Sequence, residues 1–351
     1  MLLEVRRQAY RLKRPFETSY GALHERETLL VSLTDEDGVI GLGEAAPLEP
    51  YHGVSIQQVG RALERYRAAL ARPGPAEESH RERHARLLRE CRQAREIPQA
   101  LAAIDVALWS IAAQRSALPL AQLLSHGQAP ASRVPVNATI ASLDRAGAAA
   151  QAQRAASDGY ACVKLKVGVG DDAGRVAAVR AAAGPQMALR VDANGAWRER
   201  EAIRAIELLA PAGLELVEEP VHGVAALRAV RAAVPVRIAI DESAGDPGAL
   251  EAGVADAVSL QVARCGGVTA LLERARQARA RGFEVYLAST LDGPVGVAAS
   301  LHAAAALAAD GPLPPCGLAT LALFDGLEHV LPVARGEIAV PRAPGLGVAE
   351  P

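Results

Sequence analysis

The sequence predicts an α/β protein, a (β/α)8-type barrel preceded by an amino-terminal α+β unit, and three observations carry that expectation. From about residue 129, short apolar runs alternate with helical segments rich in Ala, Arg and Glu, the rhythm of parallel βαβ units. Eight runs read as strands: VPVNATI, ACVKLKV, ALRVDAN, LELVEEP, VRIAIDE, AVSLQVA, EVYLAST and CGLAT. Lys166, Asp192, Glu218 and Asp241 stand at or near the carboxyl ends of four consecutive runs, separated by 26, 26 and 23 residues. A barrel gathers its carboxyl-terminal rim around one point, whereas an open doubly wound sheet would spread the four along an edge.

The amino-terminal unit reads differently. LEVRRQAY, ETLLVSLTDEDG and GVIGLGEA alternate partially around the turn at Asp37-Gly38, which predicts a small antiparallel sheet. From Ser55 to Arg115 the period becomes helical, interrupted by the polar, Pro- and Gly-containing stretch Ala71 to Ser79, and ends in PQALAAIDVALWSIAAQ. A chain of 351 residues is long enough for one large domain and a smaller one.

Bulk properties narrow the partners. A formal net charge of −2 leaves no basic footprint for nucleic acid or an anionic membrane. The start, MLLEVRRQAY, lacks the apolar run of a secretory signal, and no stretch approaches eighteen uncharged apolar residues. The expectation is a cytoplasmic protein that acts on a small molecule. Cys91, Cys162, Cys265 and Cys316 are widely spaced without a C-x-x-C pair and read as buried thiols. Aromatic residues are only 3%, so the core is expected to rest on Ala, Leu and Val.

The rim residues suggest chemistry. Asp192, Glu218 and Asp241 would bring three carboxylates together, and an all-oxygen set without His or Cys favours a hard ion such as Mg²⁺. Lys164 and Lys166 are two residues apart on one strand, so both face the same side. Each ammonium, with a metal nearby, is expected to lower the pKa of the other and yield a usable base. The joint logic is removal of a proton next to a carboxylate, with metal and ammonium stabilising the enolate.

At these residues the chain resembles the enolase superfamily, and within it the muconate-lactonizing subgroup. GLGEAAP, with Gly43 and Glu44, and AAIDVALWSIAA resemble the capping domain; VKLKVG, VDANGAW, LVEEP and IDES resemble barrel strands in order. The resemblance implies a cap over 1–128, completed by the tail 326–351, and a barrel over 129–325. It implies Lys166 as base or acid, Lys164 as its partner, and Asp192, Glu218 and Asp241 as Mg²⁺ ligands. Asn194, in VDANGAW, and Ser289, in STLDGPVG, are expected to bind substrate, with Arg26 and Tyr51 from the cap segments Thr18 to Arg26 and Leu48 to Val54. His52 is a weaker candidate beside Tyr51, and His222 and His302 read as structural.

One departure bears on the reaction. Where this subgroup carries a second catalytic lysine on the sixth strand, SLQVARCGG has Gln261, which can be neither base nor cation. Arg264 is expected to face away by strand alternation. Asp292 takes the acidic place on the seventh strand, to position a ligand or bond the lysine. PFETSYGALHERETLLV and CGLATLALF resemble o-succinylbenzoate synthases, whose syn dehydration one lysine can run. The alternatives are lactonisation of the muconate cycloisomerase kind, a two-base dipeptide epimerisation, and a metal-binding barrel with little catalysis. The expected ligand is a small carboxylate, and association into a homo-oligomer is left open.

Overall fold

β1 (Leu2–Thr18) and β2 (Gly21–Thr34) pair antiparallel, and β3 (Ile40–Ala45) adds to the far side of β2. The turn between β2 and β3 is built by Asp35, whose Oδ1 accepts the N–H groups of Asp37 at 3.0 Å and Val39 at 2.9 Å. The computed structural model describes residues 1–18, 21–75, 77–251 and 253–350. Ser19 and Tyr20, within the cap segment expected to meet substrate, lie outside the described residues.

The helices of this unit are α1 (Glu49–His52), α2 (Ile56–Leu70), α3 (His80–Ala94), α4 (Pro98–Arg115) and α5 (Leu120–Leu124). Ser55 and Ser79 open α2 and α3 with capping boxes completed by Gln58 and Glu82. The interruption anticipated at Ala71 to Ser79 separates α2 from α3, and Arg95 to Ile97 makes a second break. α4 is apolar on all sides because it is buried on all sides, lying against β3 and against barrel elements. Gly41 and Gly43 permit the close approach: a Cβ at either would collide with the carbonyl of Ala107 or Ala103.

After β4 (Arg133–Pro135), seven parallel strands bond in sequence order: β5 (Ala138–Ile140), β6 (Cys162–Lys166), β7 (Ala188–Asp192), β8 (Leu216–Glu218), β9 (Ile238–Ile240), β10 (Ala257–Leu260) and β11 (Glu284–Leu287). The connections run through α6 (Arg145–Ser157), α7 (Asp172–Ala183), α8 (Glu199–Leu209), α9 (Val224–Ala233), α10 (Val262–Cys265) and α11 (Val268–Ala280), and α12 (Pro294–Leu307) follows β11.

The eighth run, CGLAT, is not a full strand but a pair of bridges. Cys316 meets Val136 at one end of the sheet and Gly317 meets Ala288 at the other. The N–H of Asn137 donates to Cys316 at 3.0 Å and that of Gly317 to Leu287 at 2.8 Å, so the sheet closes on itself as a TIM-like barrel. Pro314 and Pro315 just before it have no N–H to extend a ladder, which accounts for its brevity.

The tail winds back. Phe324 bridges to Leu12, β12 (Val333–Ala334) and β13 (Glu337–Ala339) join β4 in a small sheet, and Leu120 donates its N–H to Gly345. Among the described residues, no helix is long and apolar enough to cross a membrane.

Candidate active site

Strand register assembles the rim. Lys166 lies opposite Asp192, and Asp192 opposite Glu218, on β6, β7 and β8; Asp241 follows directly on β9. Alternation turns Lys164 and Lys166 inward together, and both reach the same carboxylate oxygen, Asp192 Oδ2, at 2.8 and 2.6 Å. Lys164 also donates to Glu218 at 2.7 Å, and Lys166 to Asn194 Oδ1 at 2.6 Å. Asn194 holds a left-handed φ of 44°, places its own N–H on Asp192 Oδ1, and donates to Glu242 at 2.9 Å.

The sixth strand completes the ring differently from a lysine. Gln261 Nε2 donates to both Asp241 oxygens, at 2.8 and 3.1 Å, and lies 2.9 Å from the Tyr51 hydroxyl. Tyr51, brought in by α1, donates to Asp241 as well. Below the rim, Tyr286 donates to Glu218 at 2.7 Å, and the Arg190 guanidinium lies 4.7 Å from the Tyr286 ring centre. Glu219 props Asp241 from behind by accepting the N–H groups of Asp241 and Ser243.

A cavity opens above these groups. Lys164, Lys166, Asp192, Asn194, Asp241, Gln261, Tyr51 and Ser289 line it, and Phe16, Leu23, Leu48, Leu291 and Leu323 give it an apolar roof. Glu218 is fully buried behind Lys164 and Tyr286.

Several expectations change. Arg26 is buried and donates to the carbonyls of Thr290, Ala46 and Pro47, tying the cap to the end of β11 rather than lining the cavity. Asp292 makes no lysine bond among the described residues; Leu291 takes φ 59°, and the Asp292 carboxylate meets Thr290 and the fields of Arg26 and Glu44. His52 accepts the Leu48 N–H at 2.9 Å and stands outside the cavity lining. Arg264 does not follow strand alternation, because β10 ends at Leu260 and α10 turns it back; its guanidinium lies 4.4 Å from the Tyr51 ring centre.

Among the protein groups alone, the buried acids dominate the electrostatics of the site. Burial works against the Lys164 ammonium, but the charges of Asp192, Glu218 and Asp241 outweigh it and raise its pKa. Burial likewise opposes ionisation of Asp192, and Lys164 and Lys166 overcome it to hold that carboxyl well below its usual range. Asp241 goes the other way: burial, opposed by Arg264 and reinforced by Glu218, pushes it up to about 7. Glu242 rises to about 9 through burial and the charges of Asp241, Asp192 and Glu219.

No three of the described His, Cys, Asp or Glu side chains close on a common point, since Lys164 stands between Asp192 and Glu218 while Tyr51 and Gln261 hold Asp241. The donor set nevertheless suits a hard cation. Every acid in it offers oxygen, Asp241 and Glu242 are pushed toward protonation, and the buried Glu242 Oε2 has no partner among the described residues. Residues that the strand pattern alone did not flag include Tyr286, Glu219, Glu242 and Asn137; the doubled acids in LVEEP and IDES were the available signal for two of them.

A capped barrel with lysines on one strand and acids on the next three defines an acid–base barrel enzyme. The match is borne by both parts of the chain: residues 2–125 fit the mandelate racemase / muconate lactonizing enzyme N-terminal domain, and residues 147–349 the enolase C-terminal domain-like family. The chain belongs to the enolase superfamily, whose relatives here are isomerases, epimerases and lyases. It is 29% identical over 99% of its length to the L-Ala-D/L-Glu epimerase of Bacillus subtilis (strain 168), covering 95% of that protein. It is 40% identical to the o-succinylbenzoate synthase of Thermobifida fusca (strain YX) over 60% of this chain and 69% of that one. Its fold matches the dipeptide epimerase from Enterococcus faecalis V583, solved with Mg and the dipeptide L-Leu-L-Tyr, with a TM-score of 0.87 at 26% identity, over 99% of each chain.

Proposed function

We propose that this chain is a Mg²⁺-dependent enzyme in which Lys166 removes a proton α to a carboxylate and then returns it to a departing β-hydroxide, a syn dehydration of the o-succinylbenzoate synthase kind. The observation that carries the reading is the one-sidedness of the base: Lys164 and Lys166 both enter from β6, and the sixth strand presents neutral Gln261. A syn elimination needs only one amine, which breaks the C–H bond and supplies the proton that leaves with oxygen as water. A two-base epimerisation would need a second amine across the substrate.

Asp192, Glu218 and Asp241 would hold the ion, and Mg²⁺ bound there would offset the charge that develops on the substrate carboxylate. Lys164, which reaches in beside Lys166 from the same strand, adds a second amine beside the reacting carbon. Tyr51 and the apolar residues of the cap close the cavity from above and limit water.

The cavity also argues against a substrate with a free ammonium. Among the described residues, its only acids are Asp192 and Asp241, both committed to the ion in this reading. Lactonisation of the muconate cycloisomerase kind also runs on one lysine and is the second reading; a barrel that binds metal without turnover is the third.

Mixing the protein with Mg²⁺ and 2-succinyl-6-hydroxy-2,4-cyclohexadiene-1-carboxylate should erase the diene absorbance, and EDTA should stop the reaction. Epimerisation of L-Ala-L-Glu with the diene acid untouched would favour the two-base alternative.

A further inference from the structure

Asn137 stands between β4 and β5, is 2% exposed, and lines the cavity. Its backbone N–H is spent on Cys316. Its side chain is not spent: neither Oδ1 nor Nδ2 has a hydrogen-bond partner among the described residues. A buried carboxamide with donor and acceptor both unmet is costly unless another molecule completes it.

The surroundings say what that molecule offers. Asn137 is two residues before Thr139, which pairs in register with Lys164, so alternation turns both toward the cavity. Gly317 beside it leaves the amide unscreened: a Cβ there would lie 3.7 Å from Asn137 Oδ1 and 3.3 Å from Ala288 Cβ. In strand order Asn137 belongs to the wall of β5, the closing bridges and β11, across the barrel from the acids on β7 to β9. The cavity-lining residues of that wall are apolar or hydroxylic, with Ala288, Ser289 and Thr320, and carry no charge among the described residues.

We propose that Asn137 is a substrate-binding residue whose Nδ2 donates to an uncharged carbonyl, the acyl oxygen of a substrate whose carboxylate sits at the acids. The inference rests on the carboxylate reading of the site and narrows it to acyl-bearing acids. The amide holds the arm of the substrate remote from the bond that breaks, so it acts on binding more than on chemistry.

Calorimetric titration of the Mg²⁺-loaded protein with 2-acetylbenzoate and 2-isopropenylbenzoate, which differ only in C=O against C=CH₂, tests this. The wild type should prefer the ketone by roughly tenfold, the scale of one net hydrogen bond in a buried site. Asn137→Leu should bring the two within about twofold, as should Asn137→Ala, which removes the donor without adding bulk and guards against a misfolded leucine variant. A wild type without the preference, or folded variants that keep it, would overturn the inference. The dehydration reading fails separately: a preference present in the wild type and lost in the variants, with a wild type that leaves the diene acid untouched, upholds Asn137 and sinks that reaction, while wild-type turnover of the diene acid with a preference that the variants keep does the reverse.

Discussion

At the residue scale, the site is a balance of buried acids against few cations. Lys164 and Lys166 share Asp192, and Asp241 is left to two neutral donors, Tyr51 and Gln261, with Arg264 acting only through its field. A neutral amide at 261 is therefore a hydrogen-bond donor to a carboxylate rather than a spare catalyst. Gln261→Lys places an ammonium where the amide now bonds Asp241, so turnover of the diene acid should be retained or raised. Complete loss of activity in a folded Gln261→Lys protein would show that the glutamine is specifically required.

At the element scale, the four rim positions were legible because strand–helix periods are regular: Lys166, Asp192 and Glu218 fall in direct register. What failed was inference carried past a strand end. Alternation misplaced Arg264 because β10 stops at Leu260 and a helical turn intervenes, and Asp292 turns toward the cap because Leu291 adopts a left-handed φ. Arg26 looked like a ligand residue because a lone arginine in a strand gives no sign that four backbone carbonyls, those of Glu27, Ala46, Pro47 and Thr290, will consume it. Tyr51 was legible only through family likeness, since its partner Asp241 is 190 residues away. The same scale governs the cap: β3 approaches α4 over Gly41 and Gly43. Gly43→Ala must push strand from helix, so chemical denaturation should find it destabilised by roughly 3 kcal/mol. A loss within error would mean that the packing relaxes freely.

At the scale of the whole molecule, cap and barrel are joined by buried polar groups as well as apolar contact. Glu44 of β3 accepts the N–H groups of Gly293 and Gly296 at 2.6 and 3.3 Å, at the amino end of α12. Burial, with the charge of Asp292, raises its pKa from 4.5 to about 7. The folded chain then binds more protons at Glu44 than the unfolded chain between those two values, so this group's contribution to stability falls as pH rises through the window. The fall is on the order of 3 kcal/mol. Glu44→Gln should flatten the decline in urea stability between pH 5 and pH 8, and an unchanged slope would show that Glu44 is ionised throughout.

These scales meet in one claim, that a single lysine on β6 does the proton transfer and the sixth strand supplies no base. The most direct test is kcat on the diene acid for wild type, Lys166→Ala and Gln261→Ala side by side, with saturating Mg²⁺. Lys166→Ala should lose about a thousandfold or more and Gln261→Ala less than about tenfold. Equal losses at the two positions, or turnover that survives in Lys166→Ala, would contradict that claim.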